Sequence, residues 1–461
     1  MTIQLSSTEK TKYKINVRVN TMSRITKVVI LVLIAFLVAY VKSSGQDRMK
    51  LTVDQAVEIG LKNSKTLHSS LMRVEGAKAK ASEVNASRLP SLRLSAAYRR
   101  LSPIDPFAIS TPLGNFTISP SILDNYSTQL TLNQPLFTGF RLSNVSEAAD
   151  QSANAVKADY NKDKEEVRFN IKNAYWNLYK AQKLKAVIDE NVEQTKAHLA
   201  DAENMLKVGM ATQNDVLKLQ VQLSNVMYGQ VEADNGVKLA MVALDNVMSI
   251  PLNTEIEIAS VSEYNSKEYS ELNGLVNKAK ENRPEIKSAS YMIKASEANV
   301  NAAQAGWYPQ VSLVGNYYYS KPNSRVFPAE NKFKDTWDVG VNLSMSVWDW
   351  MTTSHQTEEA EAVLEQSKDA LGTIKDAITL EVTQNYLNLQ QAKQKISISE
   401  LAVKQATENN RITGEKFKSG LALSSDVIDA EVALLTANTN YTNALVDYEV
   451  AKARLDKSIG E

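Results

Sequence analysis

The chain carries one order of landmarks twice. Asn63 corresponds to Asn282 and Pro90 to Pro309, each pair 219 residues apart. Phe137 corresponds to Trp348, Tyr175 to Tyr386, Gly209 to Gly420 and Asp215 to Asp426, each pair 211 apart. The difference of 8 residues (219 − 211) falls between Pro90 and Phe137, so a loop there is longer in the first copy. A repeat of this length implies two equivalent halves about a pseudo-symmetry axis. Each half reads as a helix, a pair of strands and a long helical hairpin. The first half occupies 46–250, with strands within 91–137 and a hairpin at 141–248 turning near 209. The second occupies 274–458, with strands within 310–348 and a hairpin at 352–458 turning near 420, and 251–273 joins the halves.

The N-terminus reads as an export signal. Val28–Val41 is an unbroken apolar run preceded by Arg18, Arg24 and Lys27. Its length is below the roughly 20 residues that a spanning helix needs. Ser43 and Gly45 stand where a signal peptidase requires small residues, so 1–45 is expected to be a removed signal peptide, with Met22 as a possible start and an uncleaved anchor as the alternative. That segment holds 7 of the 52 basic residues and 1 of the 52 acids, leaving 45 against 51, a net of −6. A basic nucleic-acid footprint is absent. With no cysteine in the chain there is no disulfide and no thiolate metal site. Export excludes a resident cytoplasmic enzyme.

Four segments alternate with period two. Leu92, Leu94, Ala96 and Tyr98 form one apolar row; Tyr126, Thr128, Leu130 and Leu132 a second; Val311, Leu313, Gly315, Tyr317 and Tyr319 a third. Trp337, Val339, Val341, Leu343, Met345 and Val347 form the fourth. The intervening residues are polar or small, and about 10 residues is the length of a tilted transmembrane strand. Trp307, Tyr308, Phe137, Phe140, Trp348 and Trp350 gather at one end of these segments, and Tyr98, Tyr126, Tyr317, Tyr319 and Trp337 nearer the other. Aromatic belts of this kind mark membrane interfaces. A half-buried soluble sheet shows the same alternation. Four strands cannot close a barrel, and open edges do not occur in lipid. If the strands span a membrane, several chains share one barrel; three chains give twelve strands and a lumen. Ser102–Leu123 and Lys321–Lys334 are then external loops, while Pro90, Pro135 and Pro309 mark the strand–helix junctions.

Ser143–Val208 contains neither Gly nor Pro. As one helix it would run about 100 Å at 1.5 Å per residue. The last segment repeats every 3.5 residues through Val427, Ala430, Leu434, Ala437, Tyr441, Ala444, Tyr448, Ala451 and Leu455, the signature of a coiled-coil seam. Gly209 and Gly420 suit the left-handed position that ends a helix, and Thr212 and Ser424 are placed to cap the next.

These features together resemble the TolC family of outer-membrane efflux proteins, from about Leu51 to Ser458. Leu51–Val57 followed by Leu61–Ser64 is similar to the family's first helix, Gln134–Gly139 to its strand-to-helix junction. Val208–Ala211 with Asp215–Leu217, and Ser419–Ala422 with Asp426–Ile428, are similar to its hairpin tips. The second junction, Val347–Trp350, departs from the Pro-containing form. The resemblance implies a mainly α protomer with transmembrane β-strands. It implies a homotrimer whose twelve-stranded β-barrel in outer-membrane lipid continues as a periplasmic α-helical barrel, with 251–273 and the C-terminal end forming an equatorial belt. It further implies a periplasmic adaptor (membrane fusion) protein docked on Val208, Gly209, Met210, Ala211, Ser419, Gly420, Leu421 and Ala422. An inner-membrane RND or ABC transporter drives the cargo through this passive duct, which needs no cofactor.

By the same resemblance, Asp426 and Asp429 line the periplasmic entrance. Three residues apart at the start of a helix, they share one face. Rings of Asp favour cations. Acids here also offset a helix dipole, and Asp426 suits a local cap. The resemblance places Asp215 of the first copy at the gate too, with Lys218 where the second copy has Asp429, so the halves are not electrically equivalent. The family's gate tyrosine and arginine are matched by Phe417 and Ala422, so closure by apolar contact at Phe417 is expected in place of a hydrogen-bond network. His68, His198 and His355 are scattered, with no metal spacing, and His198 and His355 read as solvated or interhelical. No phosphate loop or nucleophile elbow is present. The competing readings are a soluble periplasmic coiled-coil scaffold and a secretion duct for polypeptides.

Overall fold

In the computed structural model, residues 49–259 and 268–461 are described. The expected signal peptide at 1–45 and part of the 251–273 segment lie outside them. The chain divides into a small unit, Met49–Lys50 with Thr254–Glu257, and a large unit holding the remaining described residues. In the small unit the Met49 N–H donates to the Glu255 carbonyl at 2.9 Å, and Lys50 pairs with Glu257 at 3.2 Å.

The large unit repeats almost residue for residue. Helices α1 (Val53–Asn63) and α2 (Lys65–Ala86) precede strands β1 (Ser91–Arg100), β2 (Phe107–Thr111), β3 (Gly114–Ser119) and β4 (Asp124–Thr138). The first hairpin is α3 (Arg141–Lys207) and α4 (Gln213–Met248). The second copy follows as α5 (Leu272–Asn282), α6 (Pro284–Ala303), β5 (Gln310–Lys321), β6 (Lys334–Ser344), α7 (Thr352–Lys418) and α8 (Ser424–Ile459). Helices α3 and α7 are both 67 residues, α4 and α8 both 36. The last helix buries Val427, Ala430, Ala437, Ala444, Tyr448 and Leu455 of its 3.5-residue series. Among the described residues no helix is long and apolar enough to cross a membrane.

Within the hairpins, α3 packs against α4 on one side and α8 on the other, and α8 packs on α7. The order is therefore α4–α3–α8–α7. Nearer the strands, α2 and α6 take over, giving α2–α3–α6–α7. The main sheet is antiparallel in the order β1–β4–β5–β6. Its register aligns the faces read from sequence: Leu94, Leu130, Tyr317 and Trp337 form one row, Arg93, Thr131, Asn316 and Asp338 the next.

Three details differ from the sequence reading. Strand β4 runs through Pro135 to Thr138, with a bulge between Pro135 and Phe137 that tolerates the missing donor. Strand β6 ends at Ser344, so Met345 and Val347 lie beyond it. The loop expected at 102–123 contains the β2–β3 hairpin, which turns at Pro112 and Leu113 and re-enters the strand at Gly114, where φ is +128°.

The two strand-to-helix junctions are equivalent despite their sequences. Gly139 and Trp350 are left-handed (φ +60° and +53°), as are Phe140 and Met351 (φ +66° and +64°). The Thr138 hydroxyl accepts the Leu142 N–H at 3.3 Å; 211 residues later the Asp349 carboxylate accepts the Thr353 N–H at 3.0 Å. Each supplies an acceptor for an orphan donor at a helix start.

Candidate functional site: the hairpin tips and the strand sheet

Both tips follow one backbone scheme. Gly209 (φ +78°) and Gly420 (φ +72°) end α3 and α7 in the left-handed conformation. Met210 N–H then returns to the Met205 carbonyl, and Leu421 N–H to the Lys416 carbonyl, both at 2.8 Å. These bonds satisfy carbonyls that a helix C-terminus leaves open. Val208, Met210, Leu421 and Leu423 are left exposed at the turns, with Leu421 reaching 78 %.

The caps differ between the copies. Thr212 caps α4 as expected: its hydroxyl accepts the Asp215 N–H at 3.2 Å, and Asp215 accepts the Thr212 N–H at 3.0 Å. Ser424 does not cap α8. The cap position is Leu423, whose N–H donates to Asp426 at 2.9 Å. Ser424 lies one residue inside the helix, and its hydroxyl donates to Asp215 across 2.7 Å. The Thr212 hydroxyl, then that of Ser424, hold the Asp215 carboxyl below the usual carboxylate range. Asp215 thus links the two tips of one protomer.

Phe417 is also placed differently from an apolar plug. It is 2 % exposed, inside a tip core with Ala202, Val216, Leu219 and Val427. Its contacts hold one protomer's hairpins together. Ala422 packs against the same core. Asp426 and Asp429 are exposed on one face of α8. Asp426 is engaged by its cap; Asp429 makes no hydrogen bond or ion pair among the described residues. Lys218, its counterpart on α4, is exposed as well.

His198 is interhelical, with Nε2 3.6 Å from Glu431 of α8, while His355 is exposed beside Glu358. Glu431 carried no signal in the sequence reading: it occupies a coiled-coil flank, where an acid is expected to be solvated. Among the described residues no cluster of His, Cys, Asp and Glu is suited to a metal.

The main sheet has two chemically distinct faces. On one, Trp337 is 69 % and Val341 64 % exposed, with Leu92, Leu94 and Leu343 beside them. On the other, Gln129 and Thr131 donate to Asn316 at 3.0 and 2.9 Å, and Asn316 donates to Asp338 at 2.9 Å. At one end Tyr98 packs on Tyr126 and Phe333 stacks on Tyr319; at the other, Phe137 and Phe140 meet edge to face, as do Trp348 and Trp350. Exposed apolar rows with aromatic ends suit contact with hydrocarbon better than with water.

The family description "Outer membrane efflux protein" matches residues 57–249 and 275–461, one match for each repeat. The chain belongs to this family. It is 24% identical over 356 residues to the outer membrane protein TolC of Vibrio cholerae serotype O1, covering 74% of this chain and 78% of that one. It is 22% identical over 422 residues to the alkaline protease secretion protein AprF of Pseudomonas aeruginosa, covering 89% and 84%. Among solved structures, the fold matches CusC with a TM-score of 0.76 at 17% identity, over 91% of this chain and 94% of that one. It matches VceC from Vibrio cholerae with a TM-score of 0.73 at 20% identity, over 88% and 96%. This efflux-family protein is therefore an outer-membrane efflux or secretion channel and not an enzyme. The soluble-scaffold reading is set aside.

Proposed function

We propose that three copies of the chain assemble into a passive exit duct: a shared twelve-stranded barrel in the outer membrane, continued through the periplasm by the hairpins. One observation carries this reading: every layer of the large unit ends on unpartnered edges. Among the described residues, strands β1 and β6 each lack a second neighbour in the main sheet. Unpaired strand edges in lipid cost several kcal/mol per group. Helices α4 and α7 likewise end the hairpin layer. They leave exposed Leu217, Val221, Tyr228 and Val231 on α4, and Leu380, Leu387, Ile398 and Leu401 on α7. Such spacing suits further coiled-coil seams. Edges of both layers pair when one copy's β1 and α4 side meets the next copy's β6 and α7 side.

In this assembly the Arg93–Thr131–Asn316–Asp338 row faces the lumen and the apolar row faces lipid. Asp429 and Asp426 from three chains ring the periplasmic entrance and favour cations. The exposed tip residues Val208, Met210 and Leu421, with their neighbours, receive a periplasmic adaptor protein, and an inner-membrane RND or ABC transporter supplies cargo. The relative named for protease secretion covers most of this chain, so polypeptide cargo stands beside small molecules.

The test is fractionation and planar-bilayer recording of the purified protein. Heat-modifiable trimers from the outer membrane that form cation-selective channels are expected. A monomer in the periplasmic fraction, folded yet unable to insert, would overturn the reading.

A further inference from the structure

Glu431 lies on α8 two residues beyond Asp429, on the opposite face, against α3. Its side chain is 0% exposed. Oε2 is 3.0 Å from the Thr195 hydroxyl, and that hydroxyl is also 2.9 Å from the Asn191 carbonyl. One hydroxyl proton cannot serve both acceptors. A protonated Glu431 removes the conflict: the acid donates to Thr195, and Thr195 donates to Asn191. Oε1 of Glu431 stands 3.6 Å from His198 Nε2, past hydrogen-bond reach, and among the described residues neither it nor His198 Nδ1 has a hydrogen-bond partner. The imidazole fits because residue 414 of α7 is glycine; a Cβ there would lie 3.2 Å from His198 Cε1.

We propose that Glu431 and His198 are positioning residues for the periplasmic tip: a neutral acid and a neutral imidazole that together latch α8 onto α3 and so fix where Asp429 points. The proposal rests on the reading of the tips as the channel's entrance. Both groups are buried without full pairing, and burial disfavours a charge on either one. Separating α8 from α3 wets both and permits either to ionise.

Of the charged groups facing the pair, Asp201 comes from α3 and Lys418 from α7, and they pair with each other at 3.6 Å. From α4, Val216 and Leu219 fill the adjoining tip core and do not titrate. Burial pushes Glu431 up to about 7, and burial pushes His198 below its usual value. The signs oppose. The raised Glu431 value favours the latched seam at low pH, an effect lost as pH rises through about 7. The depressed His198 value favours it at high pH, an effect lost as pH falls. The histidine therefore flattens the alkaline response set by Glu431 and adds an opposing one in acid.

The chain has no cysteine, so Ala202→Cys places a single thiol in the buried tip core, reactive to a maleimide only when the seam opens. Asn204→Cys, on the exposed side, corrects for the thiol's own titration. With the native pair, labelling of assembled protein is expected to rise from pH 6 to pH 8 by less than the raised carboxyl alone would give, and the imidazole adds an opening limb in acid. His198→Gln removes the acid limb and steepens the alkaline rise to about tenfold. Glu431→Gln removes the alkaline limb and keeps the acid one. An alkaline limb retained in Glu431→Gln, or unchanged in His198→Gln, overturns the latch; either variant suffices if the other does not assemble. Labelling that follows this pattern while cation selectivity and conductance of the same variants stay fixed overturns the pair's role at the entrance and leaves the seam chemistry standing.

Discussion

The Ser424 hydroxyl donates to Asp215 across 2.7 Å, joining the first turn of one hairpin's inner helix to the cap of the other. The two repeats are thereby fastened at their turning points. Ser424→Ala removes a bond to a charged acceptor, worth about 1.5–3 kcal/mol. Asp215→Ala also removes the Thr212 capping box, adding about 1 kcal/mol. Hydrogen exchange at the tips is expected to accelerate in both variants, more in Asp215→Ala, with the strand region unaffected. Because the Asp215 carboxyl is held below its ordinary value, its contribution is present above that value and lost as pH falls through the depressed one. The Asp215 contribution to protection of the native tip should therefore be lost only in strong acid.

Asp426 and Asp429 separate by the same logic. Asp426 accepts the Leu423 N–H, so Asp426→Ala costs about 1 kcal/mol of helix stability besides any charge effect. Asp429 has no such bond, and Asp429→Ala is expected to lower cation selectivity while leaving the thermal transition in place. Reversal potentials in a salt gradient, set beside a melting curve, test the distinction. A fall in stability for Asp429→Ala with selectivity intact would place the selective ring elsewhere.

Much of this architecture is legible in the sequence because the physics is periodic. Two-residue alternation places Leu94 and Trp337 on one face of the sheet, and the 3.5-residue series from Val427 to Leu455 places α8 in its seam. What was not legible depends on pairing across distance. Ser424 reads as a cap because serine at a helix start usually is one; only the neighbouring hairpin gives its hydroxyl a charged acceptor. Trp348-Asp349-Trp350 reads as a departure from the first copy, yet Asp349 does what Thr138 does, since any short acceptor satisfies that N–H. Glu431 reads as a solvated flank because burial of a carboxylate is visible only once α3 lies against it.

Gly139 is the junction position least open to change. At φ +60° a side chain is strained, and an added Cβ would stand 2.7 Å from the Ala305 carbonyl oxygen. Gly139→Ala is expected to cost about 1–3 kcal/mol from the backbone alone, plus the clash. Its counterpart Trp350 carries the same φ with a side chain exposed, so Trp350→Ala should be tolerated at the backbone level. Yield of assembled protein in the outer membrane compares the two; equal yields would remove the argument.

Val341 and Asn342 are neighbours on β6 that face opposite sides of the sheet. In a barrel, Val341 meets hydrocarbon. Val341→Arg is expected to cost about 2–4 kcal/mol per chain near the bilayer midplane, and Asn342→Arg little. With three chains the first penalty is incurred three times. Urea-dependent unfolding in lipid vesicles reads both, and equal penalties would show that β6 does not face lipid on its apolar side.

Phe417 tests whether closure depends on packing. The ring is buried with Ala202, Val216, Leu219 and Val427, where α3, α4, α7 and α8 converge. Phe417→Ala removes a full aromatic side chain from that core, at about 3–5 kcal/mol. Phe417→Leu retains most of the volume and should cost under about 1.5 kcal/mol if neighbours repack. Because the core sits directly behind Asp426 and Asp429, a loosened core lets α8 move away from α3. Resting conductance and antibiotic leak are therefore expected to rise in Phe417→Ala and change little in Phe417→Leu. A leak unchanged in Phe417→Ala, with the tip shown by hydrogen exchange to be loosened, would mean that tip packing and channel closure are separate properties, leaving closure to contacts between chains.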